Sequence, residues 1–360
     1  MPNPSIVAFG NFDLYGARSW VIRTGLAEVG YTIVLCRTEV PGLIGKYRDL
    51  WRRWQAFQND ASAIYVVFLG HYLMPLAWWL GKRAGIPVIF DAFLSLHDTE
   101  VYDRKRVSRF SPKAWILWFT DWLGCALADV VLLETEEHKE YFVKKYGVDP
   151  KKILVLPIGC RTDLCVPQSQ STKDVAHSFT VEFHGTYIPL QGIDVILGAA
   201  KELQERGENV AFTLIGAGQT FKAMSALALG WNVRNVTFIS SVPMENIPAH
   251  IQCADVCLGI FGTTAKAGRV IPNKAYEVLA CGRPLITGDT AAARRVFRDR
   301  ENALLSTPGD PHALAENILL LARDTALRET IAVGGLALSR ARFTPGRITA
   351  PLADWLRECP

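Results

Sequence analysis

Short, nearly all-apolar runs alternate with helix-patterned stretches from one end of the chain to the other, and few folds accommodate that alternation. The runs at 5–9, 32–36, 63–69, 87–90, 130–133 and 153–156 are rich in branched and aromatic residues. Continuous apolarity, rather than apolar–polar alternation, suits parallel strands covered on both faces. Between them, 17–28 runs up to Gly30 and 136–145 up to Gly147, the glycine that commonly closes a helix. The stretch 166–178 (VPQSQSTKDVAHS) is polar, lacks an apolar period and reads as a linker. Beyond it the alternation restarts, with strands expected at 179–183, 210–215, 236–239, 256–260 and 284–287. Helices are expected at 193–206, 221–229, 275–281 and 312–323. The pattern predicts two tandem α/β domains, each a Rossmann-like doubly wound parallel sheet, over 1–165 and 179–340, with a C-terminal segment at 341–360. Such sheets bind ligands at the carboxyl ends of their strands, so an interdomain cleft is the expected site.

Composition supports a globular reading. At 360 residues, 49% hydrophobic and 21% charged, the chain is neither disordered, coiled-coil, collagenous nor a small disulfide module. None of its eight cysteines forms a CxxC pair or neighbours a suitably spaced histidine, which argues against a structural zinc site. Most lie in apolar runs, as thiols do in the reducing cytosol, and 1–9 lacks the pattern of a secretory signal. The apolar stretch 114–133 resembles a membrane span but contains Asp121 and Asp129. Either would be costly at a bilayer centre, so a buried or interfacial helix running into a strand is expected.

The net charge of +4 is unevenly placed. Arg104, Lys105, Arg106, Arg109 and Lys113 cluster without an acid, and Lys46, Arg48, Arg52 and Arg53 interleave with Tyr47, Trp51, Trp54 and Phe57. These could be solvated helix faces with some core aromatics, or a surface that meets anionic headgroups or a lipid-linked phosphate. Their shared position in the first half favours the second reading. The expectation is a cytoplasmic protein with peripheral contact at the inner face of the cell membrane. No nucleic-acid-binding motif is found, so nucleic acid is not an expected partner. The aromatic runs at 77–79 and 115–122 are expected chiefly to pack a core or an interface helix; sugar or lipid binding is the alternative, and the basic stretches raise the lipid option.

The densest chemistry lies at 262–289, GTTAKAGRVIPNKAYEVLACGRPLITGD. Gly262 to Pro272 reads as a polar loop bearing Thr263, Lys266 and Arg269. Asn273 is placed to cap a short helix, with Lys274 and Glu277 on one face and Gly282 beyond its end. A glycine-bearing loop feeding a helix N-terminus suits a phosphate or diphosphate, and a carboxylate one turn in can accept from a ribose diol. A well-capped structural helix with a Lys–Glu pair is the equal alternative from these residues alone.

This stretch resembles the donor-site signature of the retaining glycosyltransferases of family 4, of the GT-B fold. Their pattern, P-[SN]-K-x-x-E-x-[LM]-A-x-G-[KR]-P-[LV]-I, is followed throughout by PNKAYEVLACGRPLI. ADVVLLE with KKYGVDPKKILVLPIGCRTD, FHGTYIPLQGIDVILGAAKEL, FTLIGAG and ENALLSTPGDPHALAENILLL match further family elements in order. The likeness covers nearly all of 125–325; in the first half it rests on 9–30 and IPVIFDA. It implies that Glu277 binds the nucleotide ribose and that the loop from Gly262 to Asn273 holds sugar and phosphates through backbone amides. Gly185 and its loop, with Gly216 and Gly218, would line the same cleft, and Gly16 would lie near the transferred sugar. It also implies front-face attack on the donor and packing of 341–360 back on the first domain.

Two departures stand out. Arg269 holds a place where the family often has an acid, and Thr186 and Gln191 hold places where it commonly has arginine and lysine. The cations that offset the leaving diphosphate are therefore missing from that loop, and Arg269 and Lys274, with Lys266, are the expected replacements. The chain has no DxD triplet, so no obligatory divalent ion and no other cofactor is expected.

On the acceptor side, Asp91 is expected to end a strand facing the cleft as base, with His97 second; Asp91 as a simple turn cap is the plainer alternative. His184 and His71 are weaker candidates, more often structural. The expected activity is metal-independent, retaining transfer of a hexose-type sugar from a nucleotide-diphosphate sugar to a hydroxyl of a glycan or lipid-linked glycan. The alternatives are a catalytically weak GT-B module that binds glycan or lipid, or a nucleotide-sugar epimerase.

Overall fold

The computed structural model describes residues 4–168 and 178–359, so the middle of the expected linker, 169–177, lies outside the described residues. The chain divides into two units, Met1–Gly159 with Thr344–Pro360, and Cys160–Phe343. The expected boundary at 165 falls just inside the second unit, where Cys160 and Cys165 are buried with Cys281.

In the first unit the strands are β1 (Ser5–Gly10), β2 (Thr32–Arg37), β3 (Ala61–Val66), β4 (Val88–Phe93), β5 (Val130–Leu133) and β6 (Ile153–Val155). All pair in parallel, in the order β2-β1-β3-β4-β5-β6. The order reverses between β1 and β3, and there the loops diverge to leave a crevice. Helices α1 (Ala17–Glu28), α2 (Leu43–Trp54), α3 (Met74–Ala84), α4 (Pro112–Leu127) and α5 (Glu136–Tyr146) connect the strands, and α13 (Pro345–Glu358) packs on α1. That crossing needs Gly25, where a Cβ would overlap the Pro345 carbonyl and the Thr349 hydroxyl.

The second unit holds β7 (Phe179–His184), β8 (Val210–Ile215), β9 (Val236–Ile239), β10 (Val256–Leu258), β11 (Leu285–Gly288) and β12 (Leu304–Ser306). They form a parallel sheet in the order β12-β11-β10-β7-β8-β9, reversing between β10 and β7. Around it lie α6 (Ile193–Glu205), α7 (Phe221–Gly230), α8 (Ile247–Cys253), α9 (Asn273–Ala280), α10 (Ala291–Val296), α11 (Pro311–Arg323) and α12 (Thr325–Arg342). Val181, Phe183, Ile196, Phe212, Leu258 and Leu314 are among its core side chains.

The stretch 114–133 is α4 running into β5, and among the described residues no helix is long and apolar enough to cross a membrane. Asp121 sits in that apolar helix because Ser95 Oγ, Tyr146 Oη and the backbone N–H groups of Leu96 and His97 all donate to it. The aromatic runs pack on the core only in part, through Ala77, Leu117 and Trp118. Trp115, Phe119 and Trp122 lie along the exposed face of α4, and Trp78 and Trp79 of α3 are also exposed. The buried face of α4 is instead built from Ala114, Leu117, Asp121, Gly124 and Cys125.

Candidate functional site

At the reversal point of the second sheet, loops from β7, β8 and β10 meet backbone to backbone. Tyr187 N–H donates to Ala217 O, Thr220 N–H to Tyr187 O, and Phe261 N–H to Gln191 O. The approach is close enough that side chains are excluded. A Cβ on Gly216, whose φ is +140°, would overlap the Gly185 carbonyl, and one on Gly262 would lie 2.6 Å from the carbonyl oxygens of Pro189 and Leu190. The sequence-predicted Gly185, Thr186, Gln191, Gly216, Gly218, Gly262 and Thr263 therefore belong to one set of interlocked strand-end loops.

Helix α9 enters the same assembly. Pro272, and not the expected Asn273, is its N-cap, and no side chain caps its first N–H groups. Asn273 is already helical, and its side-chain amide donates to Glu277 Oε1 at 2.6 Å, one turn on. The other Glu277 oxygen faces His184 Nε2 at 2.8 Å, while His184 Nδ1 faces Glu182 Oε1 at 2.9 Å. With a carboxylate against each ring nitrogen, both nitrogens must donate, which only the imidazolium can do. Burial alone would lower the His184 pKa, but the two carboxylates carry it up to about 10. Glu277 is thereby fixed in orientation, and an ionised carboxylate with about four lone-pair sites retains acceptor capacity for a hydroxyl pair.

Lys274 is buried beside it. Its Nζ donates to Gln191 Oε1 at 2.6 Å and stands 3.4 Å from the centroid of the Phe183 ring, under the loop that begins at Gly185. Burial holds its pKa well below the usual lysine value, against the pull of Glu182 and Glu277. An anion placed nearby would favour its charged form. Lys266 is also buried, Arg269 closes a short 3-10 turn at Ala267–Arg269, and Thr263 is exposed on the same loop. Glu182 was not singled out from the sequence. The signal was available, since residues two apart in a strand share a face and Glu182 precedes His184 by two.

The acceptor-side candidates are placed differently. Asp91 does not end its strand, because β4 continues to Phe93, and it is fully buried. Arg18 holds both of its oxygens, with Nε at 2.8 and 3.0 Å, and Tyr65 Oη donates to Oδ2 at 3.0 Å. An inaccessible carboxylate so engaged is a structural ion pair, and the expectation that it acts as a base is withdrawn. His97 lies well along the connection from β4 to α4, edge-on to Tyr102, with Nδ1 buried and without a hydrogen-bond partner. His71 is buried with Nε2 3.2 Å from Leu94 O and its ring edge-on to Phe90, a packing role. Gly16 is the N-cap of α1, accepting from Trp20 N–H. In the crevice of the first sheet, Asn11, Lys46, Leu69 and Tyr72 line a cavity of about 400 Å³. Among the described residues, one His/Glu group has metal-ligand spacing: Glu202, His312 and Glu316 on the outer faces of α6 and α11. Arg206 already bridges its two glutamates and offsets part of their charge.

Comparison with known proteins matches both halves. Residues 178–324 fit the family described as "Glycosyl transferases group 1", and 13–159 the "Glycosyl transferase 4-like domain". A phosphatidyl-myo-inositol mannosyltransferase of Mycobacterium leprae is 32% identical over 164 residues, 45% of this chain and 42% of that protein. A D-inositol 3-phosphate glycosyltransferase of Salinispora arenicola is 24% identical over 83% of this chain and 70% of its own length. The match thus spans less than half of the first of these relatives. Among solved structures, Anabaena HepE in complex with UDP-glucose superposes with a TM-score of 0.74 at 17% identity, covering 98% of this chain and 99% of that one. A sucrose-phosphate synthase of Thermosynechococcus elongatus gives 0.71 at 15% identity over 98% of both chains. These two share the fold.

Proposed function

Because the chain belongs to the group 1 glycosyltransferases, we propose that it moves a sugar from a nucleotide-diphosphate sugar to a hydroxyl of a glycan or lipid-linked glycan. The observation that carries this reading is the uncapped start of α9 set beneath interlocked glycine loops, with Lys274 and Glu277 buried in its first turns. Free N–H groups and the positive end of a helix dipole suit a diphosphate. Glu277, held by His184 and Asn273, accepts from the ribose hydroxyls. Lys274 supplies charge to the departing diphosphate from the position that Gln191 leaves without a cation, and Arg269 and Lys266 add to it. Charge aimed at a leaving group lowers the barrier where charge develops, so no divalent ion is required and no cofactor besides the donor takes part. Attack from the face the leaving group vacates retains the anomeric configuration.

The first unit, with the crevice around Asn11, Lys46 and Tyr72, takes the acceptor. The names of the mycobacterial and Salinispora relatives, a phosphatidyl-inositol and an inositol-phosphate enzyme, support an acceptor that carries phosphate. The exposed aromatic and basic residues of the α4 region support peripheral contact with an anionic membrane surface.

The test is a metal-free thermal-shift and calorimetric screen of the purified chain against UDP, GDP, ADP, dTDP and their common sugars. A ligand that binds only the folded state raises the melting temperature by mass action. One nucleotide should give a shift that Glu277→Ala loses; no shift with any of them would overturn the donor site.

A further inference from the structure

A second cavity, of about 280 Å³, opens in the first unit between the β4–α4 connection, the N-terminal half of α4 and the end of α5. Its walls are Tyr102, Trp115 and Trp118, its cations are Arg109 and Lys145, and His97 closes its base. None of the described residues lining it is acidic. Neither Arg109 nor Lys145 makes an ion pair among the described residues; the Arg109 guanidinium lies 4.5 Å over the exposed Phe110 ring and the Lys145 ammonium 5.9 Å from the Tyr102 centroid. His97 is 6% exposed, and its Nδ1 has no partner. Two exposed cations with no acid beside them and one buried, unsatisfied imidazole thus line one small cavity. Each is satisfied by the same guest, an oxyanion.

The surroundings define what that oxyanion is attached to. Trp115 is 67% exposed and Phe110 77%, and Ile116, Phe119 and Trp122 continue the apolar ridge along the outer face of α4. Lys105, Arg106 and Lys113 flank it, exposed. A soluble phosphate would use the cations and leave the ridge in water. A phosphate with hydrocarbon beside it uses both, because aromatic rings settle at the level where headgroups meet acyl chains. We propose that the His97–Arg109–Lys145 cavity holds the phosphate of one anionic phospholipid headgroup, with the α4 ridge lying in the adjoining acyl region. This deepens the membrane contact proposed above, replacing a diffuse basic face with one discrete headgroup site.

The experiment compares the full chain with two double variants of equal charge loss. Arg109→Gln with Lys145→Gln empties the cavity of cations, and Lys105→Gln with Lys113→Gln removes two exposed charges outside it. Co-sedimentation uses vesicles of phosphatidylcholine alone and of phosphatidylcholine with phosphatidylglycerol in equal parts. Soluble dihexanoyl phosphatidylglycerol and inorganic phosphate are titrated in parallel by calorimetry. The native chain should bind the mixed vesicles and the short-chain lipid saturably, and inorganic phosphate much more weakly. The cavity variant should lose at least about tenfold more affinity than the outside variant, beyond the roughly equal loss expected from diffuse attraction to an anionic leaflet. A His97→Gln variant should weaken the short-chain lipid while leaving thermal stability unchanged. Equal losses in the two double variants would overturn the discrete site and leave the membrane contact standing. Inorganic phosphate binding as tightly as the lipid would overturn the lipid assignment, and no binding to mixed vesicles would overturn both.

Discussion

His184, held between Glu182 and Glu277, makes the folded state bind a proton that the unfolded chain releases near neutrality. A group whose pKa rises from 6.5 unfolded to about 10 folded contributes stability in full below about 6.5, and loses it as pH climbs through about 10. The melting temperature of the native chain should exceed that of His184→Gln most at mildly acid pH, and the gap should close toward pH 10. A gap independent of pH would show that the ring is neutral. Lys274 tests the replacement of the missing cations. If its ammonium stabilises the leaving diphosphate, Lys274→Ala should cut turnover by about 10²-fold, the usual cost of one charge-stabilising donor, and Arg269→Ala should also cut it sharply. Steady-state rates with the nucleotide sugar found by the screen decide this; unchanged rates in both variants would leave the departing diphosphate without a protein cation. Asp91, by contrast, is a stability residue. Asp91→Asn leaves the buried Arg18 guanidinium without its counter-charge and should cost about 3–5 kcal/mol in chemical denaturation.

The loops and short helices of the second sheet form a unit through backbone contact. Gly216→Ala should push the β7 and β8 loops apart, since the added methyl meets the Gly185 carbonyl and the φ of +140° strains any residue with a Cβ. The expected loss is about 1–3 kcal/mol, with a larger proportional loss of nucleotide binding. A stable variant that still binds nucleotide would place the nucleotide elsewhere. The limits of legibility show most clearly at this level. Helix α1 was read from the sequence with its observed bounds, and α9 to within two residues at its start, because glycine punctuation and caps are local signals. The signals singled out no helix at α10 or α12, where the single caps Thr290 and Asp324 are not decisive against the neighbouring pattern. The direction of the α4 face was also hidden. Apolar periodicity says that a helix has an apolar face but not whether a sheet covers it, and here Trp115, Phe119 and Trp122 remain outside. Asp91 was misread for the same reason: its partner, Arg18, lies 73 positions away and nothing near Asp91 announces it. Glu277 was legible because its helix matches a recurrent pattern, whereas its clamp by His184 and Glu182 depends on β7 meeting α9 in space.

In the whole molecule, the first unit is discontinuous in sequence, completed by Thr344–Pro360 after the second unit has been traversed. Helix α13 buries Ile348 and Leu352, worth about 3–6 kcal/mol at the usual value for two fully buried aliphatic side chains. Truncation before Thr344 should therefore lower one unfolding transition in urea and leave the other in place, read by tryptophan fluorescence and hydrogen exchange together. A single transition that shifts as a whole would show that the two units unfold as one. The same chain path sets an order of events during synthesis. As residues leave the ribosome, the strands of the first sheet emerge first, yet the surface of α1 around Gly25 stays uncovered until α13 follows. The unit that is begun first is finished last, and the intervening unit can complete its own sheet in the meantime. A chain cut after residue 343 would thus carry one mature fold and one unfinished one, and the unfinished one would be the half presenting apolar α-helical surface to chaperones.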